Sequence, residues 1–154
     1  PDLFPDFLLL KSSSVRADPI HPTVAENPKR IPGSRIRYTI RVTNSGAGRP
    51  DAGSLVIRDA LPEALRIGVP ASGEGVSFVD GSPPSGVTVV HGADVGYSSR
   101  PDGGPPYDHV LTDSGDGTDP AVTGIRVVPG GRMEGFDGTG SAPSFELRYE
   151  VILD

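Results

Sequence analysis

The chain contains no cysteine and no tryptophan, and only two of its basic residues, Lys11 and Lys29, are lysines. The missing thiols exclude a thiolate nucleophile, a Cys-ligated zinc site and an iron–sulfur cluster, and they leave the redox compartment open, because oxidising environments permit disulfides without requiring them. An excess of positive charge is also missing. A formal net charge of −6 argues against nucleic acid, whose binding needs a basic stripe that displaces counterions from phosphates. It disfavours an anionic membrane surface for the same reason. No run approaches the roughly 18 to 20 apolar residues that span a bilayer, so no membrane span is predicted. Helical periodicity is nearly absent, with one short turn around Pro62 to Arg66 as the only candidate, and βαβ units are excluded because nothing can serve as a crossover helix.

Glycine and proline are abundant, 21 and 17 of 154 residues, a level at which a disordered chain and a loop-rich β fold must be told apart. Apolar alternation decides for the β fold. In the segment 35–42, Ile36, Tyr38, Ile40 and Val42 alternate with Arg35, Arg37, Thr39 and Arg41. The segment 144–153 repeats the pattern, with Phe145, Leu147, Tyr149, Val151 and Leu153 on one side and Glu146, Arg148 and Glu150 on the other. Each reads as a strand with one face in the core. If the two are neighbours, their arginines and glutamates pair across the wet face at about 0.2 to 1 kcal/mol each. Shorter strand candidates, 55–58, 65–69, 76–79, 87–91, 94–97, 109–112 and 122–128, are separated by Gly, Pro, Asp and Ser clusters, the spacing of a sandwich. The prediction is a single all-β domain over residues 1–154, an immunoglobulin-like antiparallel β-sandwich with long Gly/Pro-rich loops at 16–34 and 130–143.

The chain ends break the alternation. Phe7-Leu8-Leu9-Leu10 and Val151-Ile152-Leu153 are continuous apolar runs, so both faces of these terminal strands ask for burial, whereas an outer strand of an isolated sandwich has one wet face. This surplus predicts assembly. Residues 1–10, with Leu3 and Phe4 ahead of the run, are a candidate strand donated to the sheet of a neighbouring copy, and repeated head to tail such a contact makes a filament. Leu3, Phe4, Phe7, Leu8, Leu9, Leu10, Val151, Ile152 and Leu153 are therefore the predicted assembly residues. The competing reading is a monomeric adhesion or spacer module with Phe7 to Leu10 as its own first strand. The chain begins Pro1-Asp2-Leu3-Phe4 without an initiator methionine, which suggests a processed start and secretion.

The stretch Arg37-Tyr-Thr-Ile-Arg-Val-Thr-Asn-Ser-Gly46, followed by Ile57-Arg-Asp-Ala-Leu-Pro62, resembles a bacterial cell-surface repeat family catalogued as domain of unknown function eleven. The opening Leu-Leu-Lys-Ser strand, the Ile31-Pro-Gly33 turn and the closing Phe145-Glu-Leu-Arg-Tyr149 strand fit the same pattern. The resemblance covers the first 62 residues and the last ten, and implies an immunoglobulin-like sandwich on an exported surface protein. Independently of it, Asn44 and Gly46 read as left-handed turn formers after a strand, and Pro62 as the stop of the strand before it.

A search for chemistry returns folding signals first. His21, His91 and His109 have no ligand spacing, and no nucleophile elbow accompanies them. The Gly-rich segments lack the strand, spacing and helix of a phosphate-binding loop. No enzyme is predicted and no cofactor, with one exception: Asp113, Asp116 and Asp119 gather three carboxylates in a Gly-containing loop, the hard-oxygen chemistry that calcium prefers, although Gly115 and Gly117 stand where alternating ligands belong and no glutamate closes the loop. Lys11 and Asn44 are a candidate isopeptide pair if a buried carboxylate such as Asp59 lies beside them. Tyr97 and Tyr107, near Pro101, Pro105 and Pro106, are a candidate contact for carbohydrate or a host surface. An enzyme or carbohydrate-binding domain built on residues 70–143 remains a third reading, with no constellation to support it.

Overall fold

The computed structural model describes residues 3–154. Eleven strands run in the order β1 (Phe7–Ala17), β2 (Arg35–Asn44), β3 (Ile57–Ala60), β4 (Leu65–Gly68), β5 (Val76–Asp80), β6 (Val87–Thr88), β7 (Val95–Ser98), β8 (Thr118–Asp119), β9 (Gly124–Val127), β10 (Gly130–Gly131) and β11 (Ser144–Leu153). The chain is an all-β sandwich of antiparallel sheets, as the alternation predicts. The larger sheet has the order β1-β2-β11-β4-β8, with β5 beside the first half of β11; the smaller has the order β3-β9-β7. β6 and β10 form a separate two-stranded ribbon.

The two strands with the clearest period-two pattern form the middle of the larger sheet. β2 and β11 pair over nearly their whole length, from Ser144 opposite Thr43 to Ile152 opposite Arg35. Their inward side chains, Ile36, Ile40, Val42, Phe145, Leu147, Tyr149 and Val151, are all buried and meet Ile57, Ile125 and Val127 of the smaller sheet. Full burial stabilises such aliphatic and aromatic side chains by about 1.5 to 3 kcal/mol each relative to exposure, so this row supplies most of the core. On the wet face the predicted charge pairing is half realised. Arg37 lies opposite Glu150 and reaches it at 3.4 Å. Glu146, opposite Arg41, turns instead to Arg148 at 2.7 Å, and Arg41 donates to the Ser144 hydroxyl at 3.4 Å. A neighbour on the same strand competes with the cross-strand partner when both guanidiniums lie on one face.

Several local expectations are corrected. The segment 62–66 forms no helix: Leu65 N–H donates to Pro62 O and β4 begins at once. The helical turns lie elsewhere, at Val24–Glu26 and His91–Asp94. The segment 109–112 contributes only a single bridge, His109 to Tyr97, while β8 and β10, two residues each, come from segments with no apolar pattern. Asn44 is not a left-handed turn residue, and neither is Gly46; among the described residues the one non-glycine residue with positive φ is Asn27. Asn44 is buried at the end of β2, and its amide does the work of a splice. Its Oδ1 accepts the N–H of Asp6 (3.0 Å) and of Gly46 (3.1 Å), and its Nδ2 donates to the carbonyls of Gly48 and Glu134, both at 2.9 Å. The approach to β1, the loop after β2 and the loop before β11 thus converge on one side chain. Gly48 is needed because the backbone of Phe4 passes where a Cβ would stand, and Gly48 N–H donates to Phe4 O at 3.0 Å.

The loop 18–34 is organised by Asp18. Its carboxylate accepts the N–H groups of Ile20, His21 and Lys29 and meets His21 Nδ1 at 2.9 Å. Burial on its own raises this carboxyl, but the converging donors outweigh burial and hold it well below the usual carboxylate range.

Candidate functional site

β1 is an edge strand of the larger sheet, paired with β2 on one side only. Its register, Phe7 opposite Asn44 through Val15 opposite Ile36, puts Phe7, Leu9, Lys11, Ser13 and Val15 on the core side and Leu8, Leu10, Ser12 and Ser14 on the outer side. Phe7 and Val15 pack against the core. The leucines between them do not: Leu8, Leu9 and Leu10 are 53%, 53% and 56% exposed, and Leu3 and Phe4 ahead of them are 66% and 69% exposed. Leu9 faces inward and still sees water; the smaller sheet reaches β1 at Lys11, which meets Asp59 of β3. The loop 18–34 leans on the second half of β1, where Arg30 donates to the Ser13 hydroxyl at 2.9 Å. The first half is therefore the open part of the edge.

The predicted assembly residues thus divide. The N-terminal group, Leu3, Phe4 and Leu8 to Leu10, forms an exposed apolar strip at the edge; Pro1 and Asp2 of the candidate donated segment lie outside the described residues. Val151, Ile152 and Leu153 lie in β11, flanked by β2 and β4 on its two sides, with Val151 fully buried and the other two half-buried. The strip belongs to one end of the chain, and the other end fills the middle of the sheet.

Where β1 meets the smaller sheet, a polar lock replaces apolar packing. Lys11 Nζ donates to Asp59 Oδ1 at 2.8 Å and sits 4.8 Å from the centre of the Tyr38 ring. The Tyr149 hydroxyl donates to Asp59 Oδ2, and Tyr149 stacks on Tyr38, its opposite number on β2, with ring centres 5.5 Å apart. Burial together with the Asp59 carboxylate pushes the Tyr149 phenol well above its ordinary value. The candidate isopeptide pair is not brought together. Lys11 lies opposite Ile40, whereas Asn44 lies four residues farther along β2 opposite Phe7, with its amide committed to Gly48 and Glu134. Lys11 is spent on Asp59 instead.

The three aspartates of the calcium candidate each serve their own loop. Asp113 Oδ1 accepts the N–H of Gly115 and of Gly117, both at 2.8 Å. Asp116 accepts from Ser114 and Thr118 and pairs with Arg66 at 2.7 Å. Asp119 accepts the N–H of Ala121 and of Thr112 and meets His109 at 2.9 Å. Among the described residues no three His, Cys, Asp or Glu side chains converge on a point fit for a metal ion. The donors to Asp116, led by Thr118 and Ser114, hold its carboxyl well below the ordinary range. The histidines are equally dispersed: His21 on Asp18, His91 against the Tyr97 hydroxyl at 2.5 Å, His109 on Asp119. Tyr97 and Tyr107 share no surface, because Tyr97 is buried on the inner face of β7 whereas Tyr107 crosses the outer face.

A groove of about 560 Å³ on the wet face of the larger sheet is lined by Arg35, Arg37, Arg148 and Glu150 among others. Its arginines are already paired, Arg37 and Arg35 with Glu150 at 3.4 and 3.9 Å and Arg148 with Glu146 at 2.7 Å. Sequence reasoning misses the Asp18 knot, the Asn44 splice and the Lys11–Asp59–Tyr149 lock. The signal for the lock was a lysine at an inward position directly after an apolar run, with Asp59 named beside it only as part of the isopeptide candidate. Comparison of the chain with models of protein families, with curated proteins and with solved structures returns no match.

Proposed function

We propose that this chain is a structural, non-catalytic module of an extracellular bacterial surface assembly, a filament or pilus-like polymer whose copies join through β1. The observation that carries this reading is the open edge strand with three consecutive leucines more than half exposed; long flat apolar edges are what isolated β-proteins avoid. The motif resemblance supplies the surface setting.

Magnitudes choose between two ways of joining. Covering the exposed half of three leucines contributes about 3 kcal/mol, well short of the roughly 8 kcal/mol of a micromolar complex, and a symmetric β1-to-β1 contact closes into a dimer. Exchange of β1 between copies restores in trans the whole β1–β2 ladder of ten register pairs lost in cis, and it propagates. The loop 18–34 that would bridge two copies spans at most about 60 Å when extended, and the Asp18 knot is what must open first. A monomeric adhesion or spacer module is the second reading, favoured by the full pairing of β1 within its own chain.

Because the chain has no cysteine of its own, the test is direct. Leu8→Cys with Thr43→Cys places two thiols at facing positions of β1 and β2 on the outer side of the sheet. Oxidation of native material is expected to give a ladder of covalent multimers on a non-reducing gel, with filaments by negative-stain microscopy. Monomeric cross-linked chains and single particles would remove the polymer and leave the spacer module.

A further inference from the structure

The outer face of the smaller sheet presents an arrangement that the fold does not need. Arg58 on β3 and Arg126 on β9 are directly opposite each other in the register, and the next position in the same row is Gly96 on β7. Like charges facing each other across an antiparallel pair are destabilising. Arg35, Arg37, Arg49, Arg66 and Arg148 each lie within 4.0 Å of a carboxylate; among the described residues neither Arg58 nor Arg126 does, although the two face each other. The Nε–H of Arg126 is shut off from solvent and has no acceptor among the described residues.

A third side chain completes the row. Tyr107 crosses Gly96 so closely that a Cβ there would come within 2.9 Å of Tyr107 Cβ. Its ring faces the Arg126 guanidinium at 4.9 Å and lies 6.0 Å from that of Arg58. The ring offsets part of the repulsion through its negative face, and it supplies no hydrogen-bond acceptor in the plane of either guanidinium. Two planar donor forks, side by side on a flat face and short of acceptors, match a planar oxyanion that accepts two hydrogen bonds at once.

We propose that Arg58, Arg126 and Tyr107 form a binding site for the carboxylate of an acidic sugar, a uronate unit of an anionic glycan. The overall charge of −6 opposes a dense polyanion such as nucleic acid, so the ligand brings a sparse charge that this one spot can hold. A flat sheet face with Tyr107 laid across Gly96 offers a sugar ring an aromatic neighbour beside the two guanidiniums, whereas an acidic peptide would seek a strand edge or an apolar groove. The site lies on the outer face of the smaller sheet, opposite the face through which Asp59 meets Lys11 of β1, and holds whether or not copies assemble.

The test is titration of the whole protein with a short oligogalacturonate, followed by NMR of the Arg126 Nε–H, which the Arg126→Gln variant assigns. The resonance is expected to shift with oligogalacturonate and to stay put with a neutral galactose oligomer of the same length. Arg58→Gln is expected to weaken binding roughly tenfold or more, the effect of losing a charge-assisted hydrogen bond, while melting no lower than the parent because it removes a repulsion. No shift with oligogalacturonate, or undiminished affinity in Arg58→Gln, would overturn the site. Equal or tighter binding of poly-glutamate or of a sulfated oligosaccharide would overturn the sugar-acid assignment.

Discussion

Two apolar runs of the chain, Phe7 to Leu10 and Val151 to Leu153, look alike as sequence and end in opposite surroundings. The first lies on an edge strand with its leucines more than half exposed, and the second on a strand with neighbours on both sides and Val151 completely covered. An unbroken apolar run states that both faces of a strand want burial; it does not state which strands will stand beside it. β11 obtains its cover from β2, β4 and β5, and β1 obtains half of its cover from β2 alone. The thin cover makes β1 the strand that its own sheet can most readily give up, which is the basis of the proposed exchange.

What holds β1 in place can be measured at Asn44. If the edge strand is spliced to its neighbours through Asn44, then Asn44→Ala, which strands the N–H of Asp6 and the carbonyls of Gly48 and Glu134, is expected to destabilise by about 3 kcal/mol in urea unfolding. A loss near zero would mean that β1 is merely laid against β2. The contrast between the runs is sharpened by truncating each. Val151→Ala is expected to cost about 2 kcal/mol, and Leu9→Ala under about 0.5 kcal/mol in the isolated chain; equal losses would mean that Leu9 is buried in the native protein by a partner. An effect between those of Val151→Ala and Leu9→Ala concerns the lock that ties the sheets together beneath β1. Tyr149→Phe removes the hydrogen bond to Asp59 and is expected to cost about 1 kcal/mol at neutral pH. The folded phenol titrates above the unfolded one, so its stabilisation is complete below about pH 10 and is lost as the pH rises beyond it. The alkaline decline in stability should therefore be shallower in the phenylalanine variant, and an unchanged slope would show that Tyr149 does not carry it.

Much of the fold was legible. Ile36, Ile40, Val42, Phe145, Leu147 and Val151 are core residues because alternation assigns a face, and the cluster lies where that pattern puts it. β8 and β10 were illegible because two-residue strands contain no period. The role of Asn44 was only partly read because an asparagine after a strand signals a turn when only its neighbours in sequence are visible; it does bind Gly46 and Gly48, but also Asp6 and Glu134, 38 and 90 residues away. Of the candidate sites, the β1 leucines were visible as an interruption of alternation. The Arg58–Arg126–Tyr107 row was not, since each arginine separately reads as the wet face of a short strand.

The amino-acid sequence by itself determined that the chain folds as antiparallel β-structure, which side chains of β2 and β11 enter the core, and that the N-terminal run carries more apolar surface than one wet-faced strand can hide. Only the tertiary structure decided that β1 is an edge and β11 a centre, that Lys11 meets Asp59 rather than Asn44, and that two arginines face each other unpaired. Side-chain direction along a strand repeats every two residues and is written locally, whereas the identity of the neighbouring strand depends on hydrogen bonds and packing between segments far apart in the chain.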